Sequence, residues 1–272
     1  MPRTFSTDDH RINPGIAMNL LRIGKTLLSR ASPRRRHLCI LCGRRFGYFL
    51  PYRGGWRAAP PLMRALDVIG SDPDRFACPW CGATDRERHL FLYFRASGFL
   101  ADLAVREVLH FAPERRLSIV FARQKPRRYI QCDLYPSVPN VERVDMLAMP
   151  YPDRTFDLVI ANHVLEHVAD DQAAIREIAR VLKPGGYAVL QTPFSAVLTN
   201  TWSDPGVDTD AARLQAFGQE DHVRLFGRDI CQRFATFGLV SRMSDHSELL
   251  SGIDACQYGI NAREPFFLFQ RM

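Results

Sequence analysis

Phe156-Asp157-Leu158-Val159-Ile160-Ala161-Asn162-His163-Val164-Leu165-Glu166-His167-Val168 is the stretch on which the fold turns. Its first six residues are apolar apart from Asp157 and have the length of a buried strand. Polarity returns at Asn162-His163, so the strand delivers an amide and an imidazole at its carboxyl end. Asp170 and Asp171 then supply an N-cap and favour the positive end of a helix dipole. Ile175, Ile178, Ala179 and Leu182 fall on one face of that helix. Lys183-Pro184-Gly185-Gly186 stops it, and Tyr187–Gln191 reads as the next strand.

The same alternation extends outward. Upstream lie three short apolar runs: Val108–Phe111, Tyr129–Cys132 ending at Asp133, and Val141–Val144 ending at Asp145. Downstream, Phe226–Gly238 reads as a helix and Pro265–Gln270 as a final strand. Strands alternating with helices make an α/β fold, a doubly wound, mostly parallel sheet covered on both faces. Ligands of such sheets bind outside the carboxyl ends of the strands. The residues there are His110-Phe111-Ala112-Pro113-Glu114, Asp133, Asp145 and Asn162-His163. Acids after the second and third strands suit a nucleoside. One carboxylate can accept both ribose hydroxyls, and a second acid or amide can meet an adenine amino group.

These motifs, with Asp145–Asp153 before the deciding strand and Arg180-Val181-Leu182-Lys183-Pro184-Gly185-Gly186 after it, resemble class I S-adenosylmethionine-dependent methyltransferases of the methyltransferase-11-like group. The likeness is close over about residues 106–192 and looser beyond. It implies a Rossmann-like sheet of seven strands with a terminal antiparallel hairpin, and S-adenosylmethionine as methyl donor. It also implies cofactor contacts from His110, Ala112, Pro113, Glu114, Asp133, Asp145, Met146, Asn162 and His163. One departure stands out: the family's glycine-rich turn after the first strand is replaced by a segment with no glycine. Ala112 is small enough for close approach, and Glu114 can cap the next helix or meet the amino group of a methionine moiety.

Methyl transfer is an in-line displacement at a sulfonium carbon, so the protein chiefly aligns the nucleophile and excludes water. A general base is needed only when the acceptor must lose a proton. His222 is the first candidate, with Asp221 and Arg224 expected to orient it and hold an anionic group. His163 is the second, and His167 reads as a packing or capping residue. The long insertion at about residues 196–219 is expected to shape the acceptor pocket.

A different chemistry is written into the N-terminal part. Cys39-Ile40-Leu41-Cys42 and Cys78-Pro79-Trp80-Cys81 are two Cys-x-x-Cys pairs, each followed by a glycine. Two such knuckles offer Cys39, Cys42, Cys78 and Cys81 to one tetrahedral ion, a closed structural zinc site. The pairs are 35 residues apart, so the ribbon carries an inserted loop. Asp85-Arg86-Glu87-Arg88-His89 reads as internal salt bridges docking the ribbon on the main domain. Cys132, Cys231 and Cys256 read as isolated packing residues. The expected organisation is an amphipathic helix and basic linker over 1–37, a zinc-ribbon-like module over 38–95 and the methyltransferase domain over 96–272.

Of the 272 residues, the first 95 hold 17 Lys and Arg against 7 Asp and Glu, so the net charge of +7 is concentrated there. Such a patch attracts polyanions. RNA is therefore one expected acceptor, beside small molecules and the head groups of lipids or glycans. The apolar face of the first helix (Ile16, Leu20, Ile23, Leu27) reads as packing on its own protein, with peripheral membrane contact as the alternative. No apolar run approaches the ~20 residues of a membrane span. An odd number of cysteines without a signal peptide fits the cytoplasm. Two functions follow: a methyltransferase with a zinc ribbon that helps hold the acceptor, or a nucleic-acid-binding ribbon protein on an inactive methyltransferase-like scaffold.

Overall fold

The computed structural model describes residues 14–272, with the side chains of the first helix described from Arg22 onward. That helix, α1, spans Pro14–Ala31. The central sheet consists of β1 (Glu107–Phe111), β2 (Arg128–Asp133), β3 (Glu142–Arg143), β4 (Phe156–Ala161), β5 (Leu182–Val189), β6 (Leu239–Ser241) and β7 (Leu268–Arg271). Its order is β3-β2-β1-β4-β5-β7-β6, a seven-stranded sheet in which β7 runs antiparallel to both β5 and β6. This is the expected Rossmann-like arrangement with its terminal hairpin.

The central strands are apolar throughout because both faces are covered. Leu109, Val159 and Ala161 pack on one side with Ile175 and Ile178 of α4 (Asp171–Val181). Val108, Leu158 and Ile160 pack on the other with Tyr93 and Phe94 of α2 (Asp85–Ala96), and with Leu117 and Phe121 of α3 (Arg115–Arg123). Successive residues of one strand thus serve opposite cores. Register places Phe111 beside both Cys132 and Ala161. The loops after β1, β2 and β4 therefore open at one edge of the sheet.

Four elements differ from expectation for local reasons. Strand β5 starts at Leu182, and its register against β4 shifts between Phe156 and Leu158, so Lys183–Gly186 bulges within the strand instead of preceding it. The expected helix over 226–238 shrinks to Ile230–Phe234. Phe226 bridges to Phe194, and a Cβ on Gly227 would lie 2.5 Å from the Asn200 carbonyl carbon, so this backbone is pressed against another loop. Strand β3 keeps only two paired residues, and the last strand begins at Leu268 rather than Pro265.

The first helix does not pack its apolar face as expected. Ile23, Leu27 and Leu28 are 56%, 57% and 68% exposed. The reading of residues 1–13, and of the Ile16 and Leu20 side chains, lies outside the described residues. What holds α1 is its last turn: the Ser29 hydroxyl donates to the Tyr48 carbonyl, and Arg30 donates to the Pro79 carbonyl while lying over Trp80. Among the described residues no helix is long and apolar enough to cross a membrane.

The two knuckles form a small body, but the segment between them leaves it. Val68–Ile69 pairs antiparallel with Phe194–Ser195 beyond β5. Arg263 clasps Asp67 at 2.8 and 2.6 Å, and the Asn261 amide donates to the Gly70 carbonyl. The inserted loop thus lies over the strand-end edge of the sheet. Ribbon and sheet are joined at Arg88, which is fully buried and donates to five carbonyls, of Arg75, Phe76, Ala83, Tyr258 and Gly259. Docking by this segment is as expected. Its partners at Arg88 are carbonyls rather than carboxylates, which lets a buried guanidinium spend its whole donor fork.

Candidate active site

Ala112, first after β1, has φ 44°, the left-handed conformation that glycine ordinarily supplies. Its N–H donates to Cys132, continuing the ladder one step past the strand. The glycine-free loop therefore keeps the backbone path of a glycine turn. Pro113 and Glu114 follow, and Glu114 occupies the N-cap position of α3 without a side-chain cap bond. Its carboxylate turns back across the strand ends instead. The Asn162 amide donates to one oxygen, and His110 Nε2 lies 3.2 Å from the other. Burial opposes ionisation of Glu114, but the His110 and Asn162 contacts outweigh it and hold the pKa below the ordinary carboxylate value. The helix is capped by Glu87, whose carboxylate accepts from the Arg116 and Leu117 amides.

His110 itself is fully buried, with Nδ1 2.8 Å from the Tyr129 hydroxyl. It backs Glu114, one of the other residues expected at the cofactor edge. Asp133 is half-buried at the end of β2 and accepts from the Tyr135 amide at 2.8 Å. Asp145 is exposed and accepts from the Leu147 amide at 2.9 Å, while Met146 beside it is buried. Each acid is thus pinned by its own turn with one oxygen still unspent. Left-handed backbone at Ala112, two pinned acids and an Asn–Glu pair form a donor and acceptor set that fits S-adenosylmethionine.

His163 follows β4 with φ 56° and is sealed between two buried carboxylates. Its Nδ1 is 3.3 Å from Glu166 and its Nε2 3.4 Å from Glu264. Burial and the nearby Arg86 favour a neutral ring, but the two carboxylates prevail and raise the pKa above the ordinary imidazole value. Glu264 continues to His89 at 3.1 Å, and His89 to His246 at 3.3 Å. Glu264 and His246 had no signal in the sequence, because the contacts join residues up to 175 positions apart.

His222 is buried, and burial lowers its pKa. Its Nδ1 is 3.0 Å from the Phe217 carbonyl, which only accepts, so Nδ1 carries the proton and Nε2 keeps a lone pair. The expected orienting residues do other work. Asp221 lies 3.2 Å from His167 Nδ1. Arg224 is buried and donates to the carbonyls of Leu165, Val168 and Ala169, so it is unavailable to hold an anion. His167, read as a packing residue, stands edge-on to His222 with ring centroids 4.7 Å apart.

His163 and His222 share the wall of a cavity of about 160 Å³. Tyr52, Trp56, Met63 and Phe76 of the inserted ribbon segment form one side; Phe217 and Gln219 of the long insertion form another, with Arg86 and Pro193 between. The ribbon's inserted loop and the insertion between β5 and β6 therefore meet over the strand ends.

The cysteines gather as expected. Cys39 and Cys81 sulfurs are 3.7 Å apart, Cys42 and Cys78 3.9 Å, and all four lie within 4.8 Å of one another without a disulfide. Tetrahedral ligands on zinc at about 2.3 Å would stand about 3.8 Å apart. Each knuckle closes as its glycine predicts, with Gly43 and Gly82 at φ 70° and 77° donating to the carbonyls of Cys39 and Cys78. Hydrogen bonds from Cys39 and Cys78 hold the Cys81 thiol far below its usual value, at about 2, so a thiolate is favoured there. The donor set fits a closed zinc site. Among the other cysteines Cys132 is buried as expected, but Cys256 is exposed and packs nothing.

Residues 104–190 match a family model described as a methyltransferase domain. Among curated proteins, the chain is 42% identical over 103 residues to the ubiquinone/menaquinone biosynthesis C-methyltransferase UbiE of Xanthomonas campestris pv. campestris, covering 37% of this chain and 33% of that one. It is 40% identical over 78 residues to 27-O-demethylrifamycin SV methyltransferase of Amycolatopsis mediterranei, covering 29% and 27%. The chain thus spans about a third or less of the length of the curated relatives it matches. Among solved structures it is similar to Burkholderia thailandensis 1,6-didemethyltoxoflavin-N1-methyltransferase, at TM-score 0.42 and 14% identity, covering 66% of this chain and 78% of that one.

Proposed function

From the membership of residues 104–190 in the methyltransferase-domain family, we propose that this chain transfers the methyl group of S-adenosylmethionine to an acceptor held in the cavity between its two insertions. The observation that carries this reading is the strand-end set itself. Ala112 keeps a glycine-like backbone, and Asp133 and Asp145 present pinned carboxylates beside it. When bound, the cofactor supplies an electrophilic methyl on a sulfonium. Asp133 takes the ribose hydroxyls, Asp145 and Met146 border the adenine, and the Glu114–Asn162 pair faces the methionine end. A zinc ion on Cys39, Cys42, Cys78 and Cys81 fastens the ribbon whose inserted loop walls the cavity.

On the acceptor side, His163 lies between Glu166 and Glu264, whose carboxylates favour its charged form. His222 is neutral with a lone pair at Nε2, making it the electron-pair donor of the cavity. The small volume and aromatic walls support a compact acceptor such as a small molecule or a terminal sugar. The exposed run Arg34–Arg36 favours a second reading, in which the same cavity takes one nucleotide of an RNA. Exposed Ile23, Leu27 and Leu28 on α1 favour peripheral membrane contact in either case. Seven cysteines, none in a disulfide, favour a reducing cytoplasm.

The test is calorimetric titration of zinc-loaded protein with S-adenosylhomocysteine and S-adenosylmethionine. Saturable binding that weakens in Asp133→Ala supports the reading, and labelled methyl transfer to fractionated small molecules, glycans or RNA then identifies the acceptor. Well-folded protein that binds neither compound overturns it in favour of an inactive scaffold. Binding to mixed RNA that falls steeply with salt would mark the second reading.

A further inference from the structure

Beside the cavity lies a group of side chains that neither the cofactor set nor the cysteine cluster uses. Glu166, His167 and His222 each present one ligand atom, and those atoms lie within 4.8 Å of one another. Two of the three contributing side chains are buried and have atoms with no hydrogen-bond partner: Glu166 Oε1 and His222 Nε2. A carboxylate oxygen and an imidazole nitrogen that both lack a hydrogen bond in a protein interior are costly unless something satisfies them. A cation bound by both does so.

The remaining atoms of the three side chains are already tied in the manner of outer-shell support. Glu166 Oε2 accepts from the Thr192 hydroxyl at 2.9 Å, leaving Oε1 without a hydrogen bond and with His163 Nδ1, 3.3 Å away, as its ion-pair contact. His222 Nδ1 is held by the Phe217 carbonyl, leaving Nε2. His167 Nδ1 lies 3.2 Å from the Asp221 carboxylate, which again leaves Nε2. Ligating histidines ordinarily carry such a carbonyl or carboxylate on the other nitrogen. The backbone reinforces the grouping, because the Val223 amide donates to the Glu166 carbonyl and Arg224 gathers three carbonyls from the turn after Leu165.

We propose that Glu166, His167 and His222 bind a divalent transition-metal ion whose open positions face the acceptor cavity. Two imidazoles and one carboxylate suit zinc, manganese, cobalt or iron(II) rather than the all-oxygen preference of magnesium or calcium. Donors at about 2.0–2.2 Å from such an ion stand about 3–4 Å apart, so the trio closes by a small side-chain movement. Three protein ligands leave room for exogenous oxygen, as in open catalytic sites. His222 lines the cavity, so that oxygen belongs to the acceptor. This use of the ion rests on the methyltransferase reading above. An acceptor hydroxyl bound to the ion releases its proton to water. Its oxygen then forms a bond to the sulfonium methyl carbon as the carbon–sulfur bond breaks, and the electron pair stays on sulfur in the neutral thioether product.

The experiment uses the full chain with zinc on its cysteines and adventitious metal removed, titrated with Mn²⁺ and followed by calorimetry, electron paramagnetic resonance and water-proton relaxation, with no methyl donor present. The expected result is one saturable equivalent of Mn²⁺ with enhanced relaxation from bound water. Glu166→Gln, His167→Ala and His222→Ala should each weaken binding by more than the ~10–100-fold that loss of an outer-shell partner costs, and Asp221→Asn should fall within that range. Half-exposed His167 keeps the test open should the Glu166 or His222 variant fail to fold. Wild-type protein that takes up no Mn²⁺, trio variants that bind it like wild type, or bound Mn²⁺ without relaxation enhancement would overturn the proposal. Failure of the methyltransferase reading shows separately, as Mn²⁺ binding by a protein that ignores S-adenosylhomocysteine.

Discussion

The cysteine cluster and the Glu166–His167–His222 trio each bring ligand atoms within 4.8 Å, yet they are built in opposite ways. The cysteines come as two local knuckles whose glycines and backbone bonds preset each pair, and only the joining of the pairs is long-range. Four like ligands fill a tetrahedron, so nothing further can enter. The trio takes two ligands from one turn and the third from an insertion that closes over it. Three unlike ligands leave a gap, and one of the three, His222, also lines the cavity. A closed site can only hold structure, whereas an open one can hold a reactant.

The largest expected effect lies on the closed side. Cys78→Ser removes a ligand from a buried cluster that binds one ribbon together. Structural zinc in small modules is worth on the order of 10 kcal/mol of folding free energy. The variant should lose zinc by elemental analysis and show early unfolding of the ribbon, and acceptor binding should weaken with it because the inserted loop lines the cavity. Ribbon loss with an unchanged cavity would break the link between the two sites. Next in size is Arg88→Met, which strips five carbonyls of their donor at the junction. Losing a buried charged group from such a network costs about 3–5 kcal/mol, measured by denaturant unfolding.

Much of this was legible beforehand. Phe156–Ala161 is uniformly apolar because cores lie on both its faces, so composition alone exposed it. The Asp170 cap was legible because its partner, the Ala173 amide, is only three residues away. The cysteine pairs were legible because their spacing is their geometry. Glu264, by contrast, reaches His163 and His89 from the far end of the chain, and Glu166 shows its bare oxygen only once Thr192 has taken the other. Periodicity reports local faces; it is silent on which distant side chains a sheet's crossovers bring together.

Asp133→Ala tests the cofactor edge without touching either ligand cluster. Hydrogen bonds to charged groups contribute about 1.5–3 kcal/mol, so the variant should bind S-adenosylhomocysteine about 10–100-fold more weakly by calorimetry. The thermal unfolding of the apo protein should barely change, since the Asp133 carboxylate holds only the Tyr135 amide.

Acid should separate the two clusters. Asp171 is buried, bonded to Arg233 and 3.6 Å from Arg224, and so ties the helix after His167 to the segment carrying His222. Burial opposes its ionisation, but Arg233 and Arg224 win and lower its pKa below the ordinary aspartate value. Its contribution is therefore complete above the unfolded pKa near ~3.9 and is lost as pH falls through the lower folded value. Asp171→Asn should flatten that acid limb in pH-dependent denaturation. It should also loosen Mn²⁺ binding at neutral pH while leaving zinc on the cysteines unaffected.

The smallest effect concerns the glycine-free loop after β1. Ala112 sits at φ 44°, where a Cβ costs roughly 1–2 kcal/mol relative to ordinary helical backbone. Glycine would remove that strain but would give the unfolded chain about 0.4–1 kcal/mol of extra entropy to lose. The two nearly cancel, so Ala112→Gly should leave stability level or raised by less than about 1 kcal/mol. What it restores is backbone access, so affinity for S-adenosylhomocysteine should hold or rise. A loss of affinity would mean that the Ala112 methyl is itself part of the binding surface and that this loop receives its ligand differently from a glycine turn. Unchanged affinity would mean that conformation, not residue type, is what the turn needs, and that a left-handed alanine already provides it.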